Sequence, residues 1–172
     1  TEKILSKYSN KNYFFEANIL LHCLNYFKNN DNLFIGNSLS VRNLEKFCPN
    51  INKKSRVYSN RGASGIDGLI ATALGTSYHN KSNRNILILG DVSFFHDINS
   101  LLIANQSTIN MTIIVINNSG GQIFNTLSYK KNIDKKYDKF WTTPINIKIK
   151  ESCTLYKLGY DVINSIDDIK NL

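Results

Sequence analysis

Residues 85–124 read NILILGDVSFFHDINSLLIANQSTINMTIIVINNSGGQIF. Two short apolar runs, Ile86-Leu87-Ile88-Leu89 and Ile113-Ile114-Val115-Ile116, bracket an amphipathic segment. Each run ends in small and polar groups: Gly90-Asp91 after the first, Asn117-Asn118-Ser119-Gly120-Gly121 after the second. Apolar runs of this length, rich in β-branched residues, suit strands of a parallel sheet covered on both faces, so the stretch predicts a βαβ unit. Ligands of such sheets bind outside the carboxyl ends of the strands. Asp91 and Asn118 are therefore expected side by side at the mouth of a crevice. Both offer hard oxygen atoms, which suits Mg²⁺ holding a phosphate.

Outward from this unit, strand and helix signals alternate. Apolar residues at Phe14, Ala17, Ile19, Leu20, Leu21, Leu24 and Phe27 predict a helix over Tyr13 to Phe27, ended by Asn29-Asn30-Asp31. A strand is expected over Asn32 to Ile35, a turn at Gly36-Asn37-Ser38, and a helix over Ser38 to Phe47 with Asn37 or Ser38 as N-cap. Asn50 to Lys54 reads as loop and Arg56 to Ser59 as strand. The glycine-rich turn NRGASGIDG (60–68) leads into a helix from about Ile66 to Tyr78, which Ala71, Ala73 and Gly75 would let approach the sheet closely. The quoted stretch then supplies a helix from about Phe94 to Gln106 and a strand from about Met111 to Asn117. Tyr129 to Lys139 reads as a polar excursion. Glu151 to Leu158 reads as a helix with Gly159 as C-cap, Tyr160 to Ile163 as a strand, and Ser165 as the start of a last helix. The fold class is α/β: a three-layer α/β/α sandwich with a mainly parallel sheet. Residues 1–30 form a helical lead-in and 31–172 the domain proper, expected to be a fragment of a larger enzyme.

The net charge of +8 sits in scattered lysine pairs (Lys53-Lys54, Lys130-Lys131, Lys135-Lys136), not in one stripe with interleaved aromatics. That favours a solvated surface attractive to small anions over a nucleic-acid face. No run reaches the roughly 18 apolar residues of a membrane helix, and the first residues given do not read as a signal peptide. Cys23, Cys48 and Cys153 are odd in number and lack zinc spacing, which fits a reducing compartment. The excess of Asn, Lys and Ile points to an AT-rich gene. The expected location is the plastid stroma if the gene is plastid-encoded, and otherwise the bacterial cytoplasm. Lys is the default base here, so Arg42, Arg56, Arg61 and Arg84 stand out. A planar guanidinium meets a carboxylate in a two-pronged way that Lys cannot copy. His22, His79 and His96 read as packing or surface residues, and no Walker A, GxGxxG or Ser-His-Asp motif is present.

Each candidate also has a plain structural reading: Asp91 as an N-cap, Asn118 as a turn residue, Ser38 as a cap, Arg42 as an exposed helix residue, Ile123 and Phe124 as core. Gly90-Asp91 followed at this interval by Asn117-Asn118 resembles the thiamine diphosphate signature, from which Val92 departs where glycine is common. The blocks GNSLSVR (36–42), YSNRGASGIDG (58–68), GDVS (90–93) and NNSGGQIF (117–124) together resemble the C-terminal cofactor domain of the 2-succinyl-5-enolpyruvyl-6-hydroxy-3-cyclohexene-1-carboxylate synthase family of menaquinone and phylloquinone biosynthesis. The resemblance runs from about residue 30 to the end.

The resemblance implies thiamine diphosphate and Mg²⁺, or Mn²⁺, as cofactors. Asp91 and Asn118 would ligate the metal by side chain and Gly120 by its carbonyl. Gly62, Ala63, Ser64, Ile66, Gly90, Val92, Ser93, Gly121 and Ile123 would line the cofactor, with Ile66 beneath the thiazolium ring. Ser38, Arg42 and Arg61 would bind substrate carboxylates, and Ile123, Phe124 and Leu127 would wall the pocket. The implied reaction decarboxylates 2-oxoglutarate and adds the succinyl carbanion to isochorismate. The activating Glu is expected from the pyrimidine-binding domain of another subunit of a homo-oligomer, dimer or tetramer, so the chain alone is expected to be inactive. Rival readings are another thiamine diphosphate-dependent decarboxylase or carboligase resembling acetolactate synthase, a non-catalytic basic α/β module that binds nucleic acid, and a degenerate remnant.

Overall fold

The computed structural model describes residues 15–48, 51, 55–106, 108–128, 134, 136 and 138–171. The expectations for residues 1–12, for the start of the first helix at Tyr13 and Phe14, for most of the 50–54 loop and for most of the 129–139 excursion lie outside them. The elements are α1 (Glu16–Asn25), β1 (Asn32–Ile35), α2 (Leu39–Phe47), β2 (Arg56–Tyr58), α3 (Leu69–His79), β3 (Asn85–Gly90), α4 (Asp91–His96), α5 (Leu101–Gln106), β4 (Met111–Ile116), α6 (Asp138–Thr142) and α7 (Ile149–Leu155). Single turns of 3-10 helix run over Ile98–Ser100, Gln122–Thr126 and Asp167–Asn171.

The four strands form one sheet in the order β2-β1-β3-β4, and every pair is parallel. The chain steps outward from β1 to β2 and then crosses back to β3 on the other side of β1. That reversal leaves a crevice between the tips of β1 and β3. The pleat sorts the strand side chains into two cores. Leu33, Ile35, Ile86 and Ile88 pack with Leu20 and Cys23 of α1, Val41 and Leu44 of α2, and Ile166 and Ile169 near the end of the chain. Phe34, Leu87 and Leu89 pack with Leu69, Ile70, Ala73 and Leu74 of α3, and with Phe94, Leu101 and Tyr156. Two helical layers around one sheet make the expected three-layer sandwich. Each fully buried Leu or Ile contributes roughly 1.5–3 kcal/mol of transfer free energy.

Several local expectations are corrected. The helix expected over 94–106 is broken at Asp97, whose Oδ2 accepts the N–H groups of Ile70 (2.7 Å) and Ala71 (3.0 Å) at the start of α3. Its Oδ1 accepts from Ser100 at 2.7 Å. A carboxylate that caps a neighbouring helix this way satisfies orphan donors, and the chain turns to deliver it. α3 begins at Leu69, not Ile66, because Gly68 holds φ +65 at its N-cap. Gly75 lies on the exposed side of α3 with nothing within 4 Å of a Cβ, so only Ala73 makes the close approach to the core. α7 does not end on Gly159. Lys157, at φ +55, takes the left-handed position. The N–H groups of Leu158 and Lys157 return to the carbonyls of Cys153 (2.9 Å) and Thr154 (3.2 Å) in a Schellman motif. Tyr160 to Ile163 forms no strand and pairs with no strand among the described residues, and Tyr160 and Val162 are exposed. The helix expected from Ser165 is one 3-10 turn, closed by Asp168 Oδ2 accepting from Ser165 N (2.9 Å) and Ser165 Oγ accepting from Asp168 N (3.2 Å).

The three cysteines are buried and free. Burial pushes the Cys23 and Cys48 thiols up to about 11, and raises Cys153 as well. Among the described residues, no helix is long and apolar enough to cross a membrane.

Candidate functional site

Parallel pairing puts the tips of all four strands on one edge. Gly90 of β3 stands opposite Ile116 of β4, so the next residues of both strands emerge together. Asp91 is the first residue of α4 and is 4% exposed. Its Oδ1 accepts the N–H of Val92 at 2.9 Å, and its Oδ2 accepts the N–H of Gly120 at 2.8 Å. The second bond ties the β3 tip to the β4 tip. Asp91 is therefore not the N-cap: Gly90 holds that position, with no side-chain cap. Gly120 needs its φ of +118, and a Cβ there would meet the carbonyl oxygen of Thr142 at 2.2 Å.

Asn118 lies beside this pair. Its Nδ2 donates to Glu16 Oε1 of α1. Its Oδ1 is shielded from solvent and has no hydrogen-bond partner among the described residues. Leaving a buried acceptor unmade costs roughly 1–3 kcal/mol. A buried carboxylate and an orphaned amide oxygen on adjacent strand tips fit a hard divalent cation such as Mg²⁺. The Gly120 carbonyl already accepts from Gln122 N at 2.8 Å, and its second lone pair is the one a cation would use.

The β1 tip carries the second half of the site. Gly36 N–H donates to Ile88 O at 2.7 Å, and a Cβ on Gly36 would lie 2.8 Å from Leu89 Cβ. Only glycine permits that approach of β1 to β3. Neither Asn37 nor Ser38 caps α2 by side chain. Ser38 sits at φ 70, ψ −129, a region that costs a non-glycine residue about 1–3 kcal/mol. Arg42 is exposed and donates from Nη1 to Ser38 O at 2.8 Å. Arg61, also exposed, donates from Nη1 to Asn37 Oδ1 at 3.0 Å. The two guanidinium groups are thus tethered to consecutive residues of one turn.

Asn37 organises this edge, although its sequence signal is only that of a capping residue. It is 2% exposed, and besides holding Arg61 it donates from Nδ2 to Asn60 O (3.0 Å) and Gly65 O (2.6 Å). It thereby closes the glycine-rich turn onto the β1 tip. In that turn Gly62, Ala63 and Ser64 are exposed, and Ile66 is half-buried. Ser93 is buried in α4, whereas Gly90 and Val92 are half-buried.

Beyond the β4 tip, Gly121, Ile123 and Phe124 are half-buried and Leu127 is 41% exposed. The Phe124 ring meets Trp141 edge-on at 5.8 Å, and Gly121 N–H donates to Thr142 O at 2.6 Å. α6 packs against the 122–126 turn as a consequence, and neither Trp141 nor Thr142 was marked by a motif. His96 and His79 are exposed and His22 is half-buried in α1.

Residues 40–170 match the family model described as thiamine pyrophosphate enzyme, C-terminal TPP binding domain. The chain is 38% identical over 141 residues to 2-succinyl-5-enolpyruvyl-6-hydroxy-3-cyclohexene-1-carboxylate synthases of Staphylococcus aureus, for example in strains JH9 and NCTC 8325 / PS 47. The matched region is 82% of this chain and 24% of each relative, so the chain spans about a quarter of their length. The X-ray structure of a putative thiamin diphosphate-dependent enzyme from Mycobacterium smegmatis superposes with a TM-score of 0.69 at 14% identity, over 90% of this chain and 28% of that one, and so shares the fold. With three quarters of its length inside the family match, the chain belongs to the thiamine pyrophosphate enzymes, as their C-terminal TPP-binding domain.

Proposed function

We propose that this chain is the diphosphate- and metal-gripping domain of a 2-succinyl-5-enolpyruvyl-6-hydroxy-3-cyclohexene-1-carboxylate synthase. One observation carries the reading. The buried Asp91 carboxylate is bonded to Gly120 N–H across adjacent strand tips, beside an Asn118 oxygen that has no partner among the described residues. Asp91 and Asn118 would hold Mg²⁺ or Mn²⁺ by side chain, with the Gly120 carbonyl completing the protein's share. Gly90, Val92, Ser93, Gly121 and Ile123 would line the diphosphate end, and Gly62, Ala63, Ser64 and Ile66 the rest of the cofactor. Bound thiamine diphosphate supplies the nucleophilic carbon and the electron sink for decarboxylation of a 2-oxoacid.

This chain's own residues then position and neutralise. The Asp91 carboxylate offsets the cation's charge in a site walled by α4 and β4. Arg42 and Arg61, tethered to the Asn37-Ser38 turn, would present guanidinium groups to carboxylate substrates, 2-oxoglutarate and isochorismate, and Ser38 would bind with them. Ile123, Phe124 and Leu127 wall the pocket. The net charge of +8 favours the approach of such anions. A Glu from a pyrimidine-binding domain of a neighbouring subunit would complete activation, in a homo-oligomer working in the bacterial cytoplasm or plastid stroma.

The test is turnover by the full-length protein with both substrates. Arg42→Ala and Arg61→Ala are expected to impair use of 2-oxoglutarate or isochorismate. If neither changes kcat/KM, the two arginines do not bind substrate; if the full-length protein binds thiamine diphosphate and Mg²⁺ but does not turn over these two substrates, it is a different thiamine diphosphate carboligase.

A further inference from the structure

Asn118 has a feature that its place beyond the β4 tip does not explain. An amide side chain can offer either an oxygen or an N–H group to a given direction, and the two orientations occupy the same space. A cation is held only by the oxygen. Something must therefore fix which way the amide faces.

Glu16 is placed to do so. It opens α1, 102 positions before Asn118, and its Oε1 accepts from Asn118 Nδ2. A carboxylate offers acceptors only, so Asn118 must turn its nitrogen toward Glu16. The oxygen is left facing away, shielded and without a partner among the described residues. The second carboxylate oxygen is engaged too: Glu16 Oε2 accepts from Asn43 Nδ2 at 3.1 Å. Asn43 belongs to α2 and follows Arg42 directly. Glu16 thus spans the β4 tip and the helix that carries a proposed substrate-binding arginine, and α1 packs against α2 beneath it. Glu16 also lies upstream of the region matched by the family model, residues 40–170.

We infer that Glu16 is a positioning residue which, through its bond to Asn118 Nδ2, fixes the amide so that Asn118 Oδ1 faces the divalent cation. This rests on the metal-site reading given above. Outer contacts of this kind typically govern about 10- to 100-fold in metal affinity.

The experiment measures Mn²⁺ binding to the full-length protein at saturating thiamine diphosphate, with free Mn²⁺ read by electron paramagnetic resonance. Glu16→Ala is expected to weaken Mn²⁺ binding by about 10- to 100-fold. Glu16→Gln keeps one acceptor oxygen for Asn118 and is expected to recover most of the loss. In an Asn118→Ala background, Glu16→Ala should cost nothing further, because the group it orients is gone. Metal-free melting midpoints of all variants report any general loss of stability. Glu16→Met, with similar bulk and no acceptor, carries the test if the Ala variant does not fold. Unchanged affinity in Glu16→Ala or Glu16→Met overturns the inference, as does an equal loss in the Asn118→Ala background. Asp91→Ala separates the two levels. If it too leaves affinity unchanged, the metal site itself is refuted; if it abolishes binding while Glu16 variants bind normally, only the orienting role falls.

Discussion

Replacing Asn37 by Ala removes three hydrogen bonds from one buried side chain. Two run from Nδ2 to the carbonyls of Asn60 and Gly65, and one is received from Arg61. A neutral hydrogen bond contributes roughly 0.5–1.5 kcal/mol net, and one to a charged group roughly 1.5–3 kcal/mol. Arg61 is exposed, so its share is discounted toward the low end for solvent screening. The expected loss is about 3 kcal/mol. For a cooperative unit of 150–250 residues, each kcal/mol shifts the thermal midpoint by about 2–4 °C. The 172-residue chain falls in that range, so the midpoint should drop by about 6–12 °C. Hydrogen exchange should rise at residues 60–65 before it rises in β3. Asn37→Asp sharpens the test. It keeps the size and can still hold Arg61, but it sets an acceptor against two carbonyl oxygens that now receive an N–H. It should therefore destabilise at least as much as Ala, despite the better ion pair. If Asn37→Ala melts with the wild type, or Asn37→Asp is the more stable variant, the account of how these turns are joined is refuted.

Gly36→Ala should cost about 1–3 kcal/mol through overpacking, because its Cβ would lie 2.8 Å from Leu89 Cβ and 3.1 Å from Ile88 O; an unchanged denaturant midpoint would contradict the close approach of β1 and β3. The cysteines give a pH dependence of defined sign. Their folded values, about 11 for Cys23 and Cys48, lie above the ordinary 9.0, so burial favours the neutral thiol. Below about pH 9 both folded and unfolded chains hold the proton and nothing is lost; stability should then fall as pH rises from about 9 through about 11. A Cys23→Ala, Cys48→Ala variant should flatten that fall in a urea titration repeated across the window, and an equally steep fall would show that other groups cause it.

The sheet was legible because its strands are short apolar runs punctuated by Gly, Asn and Asp, and because alternating elements leave few topologies open. The placing of Asp91 and Asn118 at adjacent strand tips followed from parallel pairing alone. Boundaries set by tertiary contacts were not legible. The break at Asp97 exists because its carboxylate caps α3, which no local pattern announces. Lys157 replaced Gly159 as the helix terminator because a left-handed residue is common at that position but need not be glycine. The roles of Asn37 and Glu16 were invisible for the same reason: each depends on partners that lie far away in sequence, and neither sits in a motif that names its chemistry. By contrast, Arg42 and Arg61 were conspicuous in a Lys-dominated chain, and both are tethered to the β1 tip where the turns converge.

The central claim is that Asp91 and Asn118 form one half of a metal-dependent diphosphate grip. It is tested most directly by calorimetric titration of thiamine diphosphate into the full-length protein, with Mg²⁺ present and with Mg²⁺ removed by chelation. The account predicts Mg²⁺-dependent binding by the wild type, with that dependence lost in Asp91→Ala and in Asn118→Ala while the metal-free fold is retained. Binding of equal affinity by the wild type and Asp91→Ala, with the same response to Mg²⁺, would contradict it.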